Sequence, residues 1–266
     1  MQSGDLVADY IIVSPLGMGD QGDFYLAEAP ARLGPGVDRV ALKVVPATED
    51  FERIVREVST FARIEDPHLL RLVGAGQHEE HFFFATEWCE RGPIDLLALA
   101  PAEVRRAVAQ AARGAQALHA VDVVHRNIRP RNVYIRADGS AVLADLSLVQ
   151  PDHEDTTDLV STSALGFLDP ALLTSDEVGI ASDLFSLGAT LHWLSTREHL
   201  YPQIDPTRPL MSVRSILRNP PNVRRDLCDP AVADLVAACV DPDVSRRPPT
   251  AAAFADQLDA IGDDRS

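Results

Sequence analysis

The periodicity of this chain changes once, at Gly92-Pro93, and that change limits what it can fold into. Before it, YIIVSPLG, DFYLAEA, VALKVV and HFFFATEW are short runs rich in β-branched and aromatic residues, broken by Gly, Pro and polar turns, and they read as strands. One helical pattern interrupts them, in which Phe51, Ile54, Val55, Val58, Phe61 and Ile64 recur on one face until Pro67 ends it. After Gly92-Pro93 the patterns are helical. Val104, Val108, Ala111, Ala115 and Leu118 mark one face of PAEVRRAVAQAARGAQALHAV, and helical spacing resumes in SDLFSLGATLHWLST, from Pro230 to Cys239, and in TAAAFADQLDAI. VYIRA and AVLAD flank the turn at Asp138-Gly139 and predict a hairpin. The expected class is α+β, with a small antiparallel-sheet lobe carrying one helix over residues 1–90 and a larger helical lobe over residues 91–266.

Apolar residues make up 46% and charged residues 24% of the 266, a balance that can bury a core. The formal net charge of -16 repels phosphate backbones and anionic lipid, so no nucleic-acid or membrane-surface partner is expected. No apolar run approaches the roughly 20 residues that span a bilayer. The start, MQSGDLVADY, lacks the basic and apolar segments of a signal peptide, so a cytoplasmic place is expected. Cys89, Cys228 and Cys239 lack the paired spacing of a zinc site or a disulfide framework.

Of 24 basic residues, 23 are Arg, and Lys43 is the single Lys. A compositional bias that wrote Arg everywhere else has spared this position. Drift leaves one Lys by chance; the alternative is a site that needs a compact ammonium on a flexible stem instead of a planar fork. Upstream, PLGMGDQGDFYLA places Gly17, Gly19 and Gly22 at G-x-G-x-x-G spacing. That spacing alone is weak. Here the glycines join two strands, and VALK follows about twenty residues on.

From these residues onward the chain resembles a bacterial-type Ser/Thr protein kinase domain along nearly its whole length. Glu57 in FERIVREVSTFARI sits where a helix glutamate pairs with the strand lysine, and Thr86-Glu87-Trp88-Cys89 looks like the hinge that reads adenine. HRNIRPRN, from His125 to Asn132, resembles the catalytic loop, and Asp145-Leu146-Ser147 the metal-binding motif. GFLDPALL resembles the end of the activation loop, SDLFSLG the central helix whose Asp183 braces the catalytic loop, and VDPDVSRRP the closing arginine motif. The resemblance implies ATP and Mg²⁺ as cofactors, with Gly17, Gly19, Gly22, Phe24, Ala41, Lys43, Glu57, Glu87, Cys89 and Tyr134 around the nucleotide, and Asn132 and Asp145 on the metal. The polar stretch from Gln150 to Ser163 falls where family members are phosphorylated, and Thr156, Thr157, Ser161 and Thr162 lie in it.

The sequence departs from the pattern where phosphate would be transferred. Asn127 stands at the catalytic Asp, Arg129 at the nearby Lys, and Ala164 at a bridging Thr. Asn cannot take a proton, which forfeits roughly 10²- to 10⁴-fold of general-base catalysis. Ala171 replaces the glutamate after Asp169-Pro170, so Arg247 must find another acceptor or solvent. Ser147 removes the positive-φ freedom of a glycine from the metal motif. Phe24 and Tyr134 stand where the family has Val above and Leu below the adenine, and they either sandwich a base or fill the slot themselves. The implied function is a pseudokinase that binds a protein partner. The alternatives are a weakly active Ser/Thr protein kinase and a small-molecule kinase; GFLDP and RRP weigh against the last.

Overall fold

The structure is a computed structural model that describes residues 1–19, 22–47, 64–144, 164–174, 179–205 and 207–263. The expected helix over residues 51–64 lies, up to residue 63 and with Glu57, outside the described residues, as does the segment holding Asp145, Ser147 and the loop hydroxyls. The chain forms two compact units. The first comprises residues 1–65 and 70–90, the second residues 66–69 and 91–266.

In the first unit six strands form one antiparallel sheet in the order β1-β2-β3-β4-β6-β5, with β1 Leu6–Val7, β2 Tyr10–Gly19, β3 Gly22–Glu28, β4 Arg39–Pro46, β5 Leu72–His78 and β6 His81–Glu87. Alternation along the strands divides the side chains between the two faces. Tyr10, Ile12, Tyr25, Ala27, Val40, Leu42, Val44, Phe83 and Ala85 form one buried cluster. Tyr10 and Phe83 meet edge to face in it, with ring centroids 5.6 Å apart. β2 carries irregular register between Ile12 and Ser14 and between Pro15 and Gly17. The second of these lets Pro15, which has no N–H to give a ladder, sit within a strand.

β5 is not foreseen by the sequence reading, because LVGAGQH carries two glycines. Tertiary packing explains the first: a Cβ on Gly74 would lie 2.3 Å from the Tyr10 hydroxyl oxygen. The strand gives up propensity there to admit the tyrosine.

Among its described residues the second unit holds a three-stranded sheet, in the order β7-β8-β9, and five α-helices. The strands are β7 Gly92–Pro93, β8 Val133–Ile135 and β9 Ala141–Leu143, and β8 and β9 form the hairpin expected at Asp138-Gly139. The helices are α1 Pro101–His119, α2 Ile180–Thr196, α3 Pro209–Arg218, α4 Pro230–Cys239 and α5 Ala251–Asp263. α1 begins with Pro at its first position, and Glu103 reaches back to accept from Ala100 N–H at 2.9 Å. Its marked residues Val104, Val108, Ala111, Ala115 and Leu118 are all buried. It is tied to α5 by Arg113, whose Nη2 bonds Asp256 and Asp259 at 3.2 and 2.7 Å. α2 is buried almost all round, from Ser182 to His192. The short segment Asp66–Leu69 joins this unit because His68 O accepts from Leu143 N–H at 2.8 Å and Leu69 bridges Leu143.

α3 is absent from the sequence reading, and its packing explains why. Its inward residues include Ser212 and Ser215 beside Ile216, while Leu210, Met211 and Leu217 face outward. The buried serines are satisfied by loop backbone: Ser212 Oγ accepts from Asp205 N–H, and Ser215 Oγ donates to Pro202 O. A helix whose polar residues point inward inverts the pattern on which periodicity depends.

Candidate functional site

In the first unit the glycine-rich segment is the β2–β3 hairpin, with Gly19 paired to Gly22, so the glycines join two strands and open no helix. At Gly22 (φ +154°) a Cβ would lie 2.4 Å from Val44 O and 2.6 Å from Val45 Cγ1, so the hairpin lies against β4 only without a side chain there. At Gly17 (φ +142°) a Cβ would meet no atom within 4 Å among the described residues beyond its chain neighbours.

Directly paired residues of neighbouring strands share a face. Phe24 pairs with Lys43 and Leu26 with Ala41, while on the other side Lys43 pairs with Phe84 and Ala41 with Thr86. The sheet therefore gathers Phe24, Ala41, Lys43 and Thr86 on the face opposite the buried cluster. Phe24, Ala41, Lys43 and Thr86 remain partly exposed among buried Leu26, Val45, Phe82 and Phe84. The Lys43 ammonium stands 5.6 Å from the centroid of the Phe24 ring, within cation–π range. Thr86 Oγ1 donates to Ala41 O at 3.4 Å. Glu87 bonds the start of β5, its carboxylate accepting from Arg71 N–H and its own N–H donating to Arg71 O, both at 2.9 Å. Cys89 is buried. Lys43, Ala41 and the Gly17 backbone are the members of this face that could hold a nucleoside triphosphate, and the Phe24 ring lies within cation–π range of the ammonium.

In the second unit the loop from His125 to Asn132 is held by Asp183, in the first turn of α2. This carboxylate is fully buried; Oδ2 accepts from His125 N–H (2.8 Å) and lies 2.7 Å from His119 Nε2, and Oδ1 accepts from Arg126 N–H (2.9 Å). Those bonds hold Arg126 at φ +67°, a left-handed conformation that costs a non-glycine residue about 1–3 kcal/mol. His125 Nδ1 accepts from Asn127 N–H at 3.2 Å, so its Nε2 carries the proton and donates to Ala144 O at 3.0 Å. Asn132 is buried; its Nδ2 donates to Asn127 O at 2.8 Å, and its O accepts from Ala144 N–H at 2.8 Å. Asn127 and Tyr134 are half-buried and Arg129 is buried. The structure thus brings Asn127 and Asn132 together, the Asn132 side-chain amide bonding the Asn127 carbonyl. His119, which completes the Asp183 cluster, was not anticipated, because a histidine at a helix C-terminus carries no local signal of so distant a partner.

Arg247 has its acceptors. Nη1 bonds Asp169 Oδ2 at 2.5 Å and Ala181 O at 2.7 Å, Nε donates to Asp241 O at 2.9 Å, and the guanidinium lies over the Phe185 ring. The other Asp169 oxygen accepts from Ala171 N–H at 3.0 Å and caps the turn over Pro170–Leu173. Ala164 precedes a second turn, Leu165–Phe167.

A family model described as the protein kinase domain matches residues 10–258. The chain belongs to that family. It is 28% identical, over 99% of its length, to a Thermomonospora curvata protein named "Probable serine/threonine-protein kinase PkwA", and covers 36% of that protein. Over 94% of its length it is 29% identical to serine/threonine-protein kinase pkn2 of Myxococcus xanthus, and over 71% it is 28% identical to serine/threonine-protein kinase PknH of Mycobacterium tuberculosis; it covers 32% of each. This is a kinase domain of the bacterial Ser/Thr type, α+β and bilobal, and it spans about a third of the length of these curated relatives. No helix among the described residues of the kinase domain is long and apolar enough to cross a membrane.

Proposed function

We propose that this kinase domain is a pseudokinase, a regulatory or scaffolding module for a protein partner, which holds ATP with Mg²⁺ and transfers phosphate feebly or not at all. The observation that carries the reading is Asn127 in a loop otherwise assembled for catalysis. Its neighbours are in order: Asp183 braces the backbone on one side and Asn132 on the other. What the loop lacks is a side chain that takes a proton, which amounts to roughly 3–5 kcal/mol of barrier. Arg129 in place of a point-charged lysine and Ala164 in place of a hydroxyl compound the loss.

The nucleotide set is retained in kind. Lys43 would take the α- and β-phosphates, and Asn132 with Asp145 would supply oxygen ligands to Mg²⁺. Bound there, the metal would neutralise phosphate charge. The partner surface is expected to be basic or neutral, given the net charge of -16.

A second reading, a weakly active Ser/Thr protein kinase, draws on the same ordered loop, since phosphoryl transfer relies mainly on positioning and charge. A radiolabelled-ATP assay beside a nucleotide-dependent melting curve separates the two. The pseudokinase reading expects a melting shift with Mg-ATP, its loss in Lys43→Ala, and no transfer above background. Robust phosphorylation by the natural sequence that Asp145→Ala abolishes would overturn it.

A further inference from the structure

Helix α3 is built inside out. Ser212 and Ser215 are buried with Ile216, their hydroxyls engaged by the backbone of Asp205 and Pro202, while Leu210, Met211 and Leu217 are 78%, 46% and 49% exposed. Leu210 is more exposed than any other large apolar side chain among the described residues. At about 100° per residue, Leu217, Leu210, Arg214, Arg218 and Met211 follow one another around roughly 120° of the helix, opposite the buried serines. Apolar side chains gathered on an outward face mark a surface that another molecule covers.

Two charges say what kind of molecule. Arg214 and Arg218 lie within the stripe, both exposed, and neither guanidinium meets a carboxylate within 4 Å among the described residues. Arg113, Arg224 and Arg225 of the same unit each bond a carboxylate, in a chain with 40 acidic residues against 24 basic ones. Asp205, just before the helix, is taken up by Thr207 and Arg208. A second copy docked face to face would set these arginines against their own counterparts, and like charges in contact oppose association.

We propose that the outward face of α3 is the docking surface for the protein partner, and that its occupant is an amphipathic helix whose apolar stripe is flanked by carboxylates. The apolar stripe covers Leu210, Leu217 and Met211, and the carboxylates pair with Arg214 and Arg218. The net charge of -16 favours a partner that is basic or neutral as a whole. At contact the nearest charges decide, because distant ones are screened within about 8 Å at physiological salt. The proposal rests on the reading above for the existence of a partner, and not for the chemistry at Asn127.

A display library of helical peptides with randomised surface positions, selected on the 266-residue chain, tests it. Enriched sequences are expected to carry an apolar stripe with Asp or Glu beside it. In fluorescence-anisotropy titrations of one such peptide, Arg214→Glu with Arg218→Glu is expected to weaken binding about 10-fold or more. A counterpart peptide with Lys in place of each acid is expected to prefer that variant to the natural sequence. Leu210→Gln with Leu217→Gln keeps good helix formers, and is expected to cost at least about 10-fold in affinity while leaving the melting temperature unchanged.

An empty selection overturns the proposal, as do selected peptides that are neutral or basic, or that bind the glutamine variant as well as the natural sequence. A lower melting temperature in the glutamine variant overturns it too, because the leucines then pack within the chain. So does a dimer in sedimentation that this variant dissociates, which assigns the face to a second copy. Binding and melting are the only readouts, so the two readings fail separately. Robust phosphate transfer sinks the pseudokinase and leaves the peptide titrations standing, whereas failure of the peptides leaves the transfer result where it was.

Discussion

Arg247 and Asp169 form an ion pair with side-chain exposures of 3% and 4%, although the glutamate that the kinase pattern places at residue 171 is an alanine here. The carboxylate comes from two residues earlier. Asp169 divides its oxygens between the guanidinium and the N–H of Ala171, so one side chain both neutralises the buried charge and caps the turn over Pro170–Leu173. Burying the pair costs desolvation, and removing one partner costs more because it leaves an uncompensated buried charge.

Asp169→Ala is therefore expected to destabilise the domain by about 3–5 kcal/mol, because it leaves Arg247 buried without its carboxylate. Adding Ala171→Glu in that background is expected to recover part of the loss by returning the acid to the usual position. Denaturant melts of the natural sequence, the single variant and the double variant measure both effects. Equal stability of the single variant and the natural sequence would mean that the carbonyls of Ala181 and Asp241 suffice.

Stability should fall on acidification because of two histidines withdrawn from solvent. Burial holds both His192 and His199 below the usual imidazole range, and Nε2 of His192 accepts from Arg224 N–H, a bond that protonation destroys. With the folded pKa depressed, the unfolded chain binds more protons, so stability is complete above about pH 6.5 and declines as pH drops below it toward the folded values. Each histidine contributes at most about 1.4 kcal/mol for every tenfold difference in proton affinity between the unfolded and the folded chain. Unfolding free energies measured from pH 7.5 to 5 should show this slope. It should flatten in His192→Gln and His199→Gln even if those variants are less stable overall.

Asp183→Asn tests the bracing of the loop. The carboxylate receives two backbone N–H groups and faces His119, and an amide replaces one acceptor oxygen with a donor. Leaving a buried donor unsatisfied costs about 1–3 kcal/mol. Arg126 also loses support for its left-handed backbone. The expected result is lower stability and faster hydrogen exchange at the His125 and Arg126 amides. Unchanged protection there would show that the loop holds its form without the carboxylate.

Repair of the catalytic positions should be non-additive. Asn127→Asp alone is expected to restore only part of the transfer activity, since Arg129 cannot mimic a point charge and Ala164 has no hydroxyl. The triple variant with Arg129→Lys and Ala164→Thr should exceed the product of the three single gains, because residues that act as a unit do not contribute independently. A radiolabelled-ATP assay on a generic basic protein substrate measures each step.

The sequence by itself determined the strands around the glycine hairpin, the apolar face of α1, the β8–β9 turn and the order of the kinase motifs. Each of these is written in short-range spacing, with period 2 in strands, period 3.6 in helices and glycine at turns. It also left Arg247 to find another acceptor or solvent, because a guanidinium buried alone is costly. Which acceptor was a tertiary decision: Asp169 lies 78 residues away along the chain and is selected by the fold of the turn it caps. Tertiary packing likewise made strand β5 out of a glycine-rich run, by fitting Tyr10 against Gly74, and made helix α3 with serines inward, by giving loop backbone to their hydroxyls. Only the register of β3 on β4 set the Phe24 ring against the Lys43 ammonium. A sequence lists both residues but does not say that they are cross-strand partners.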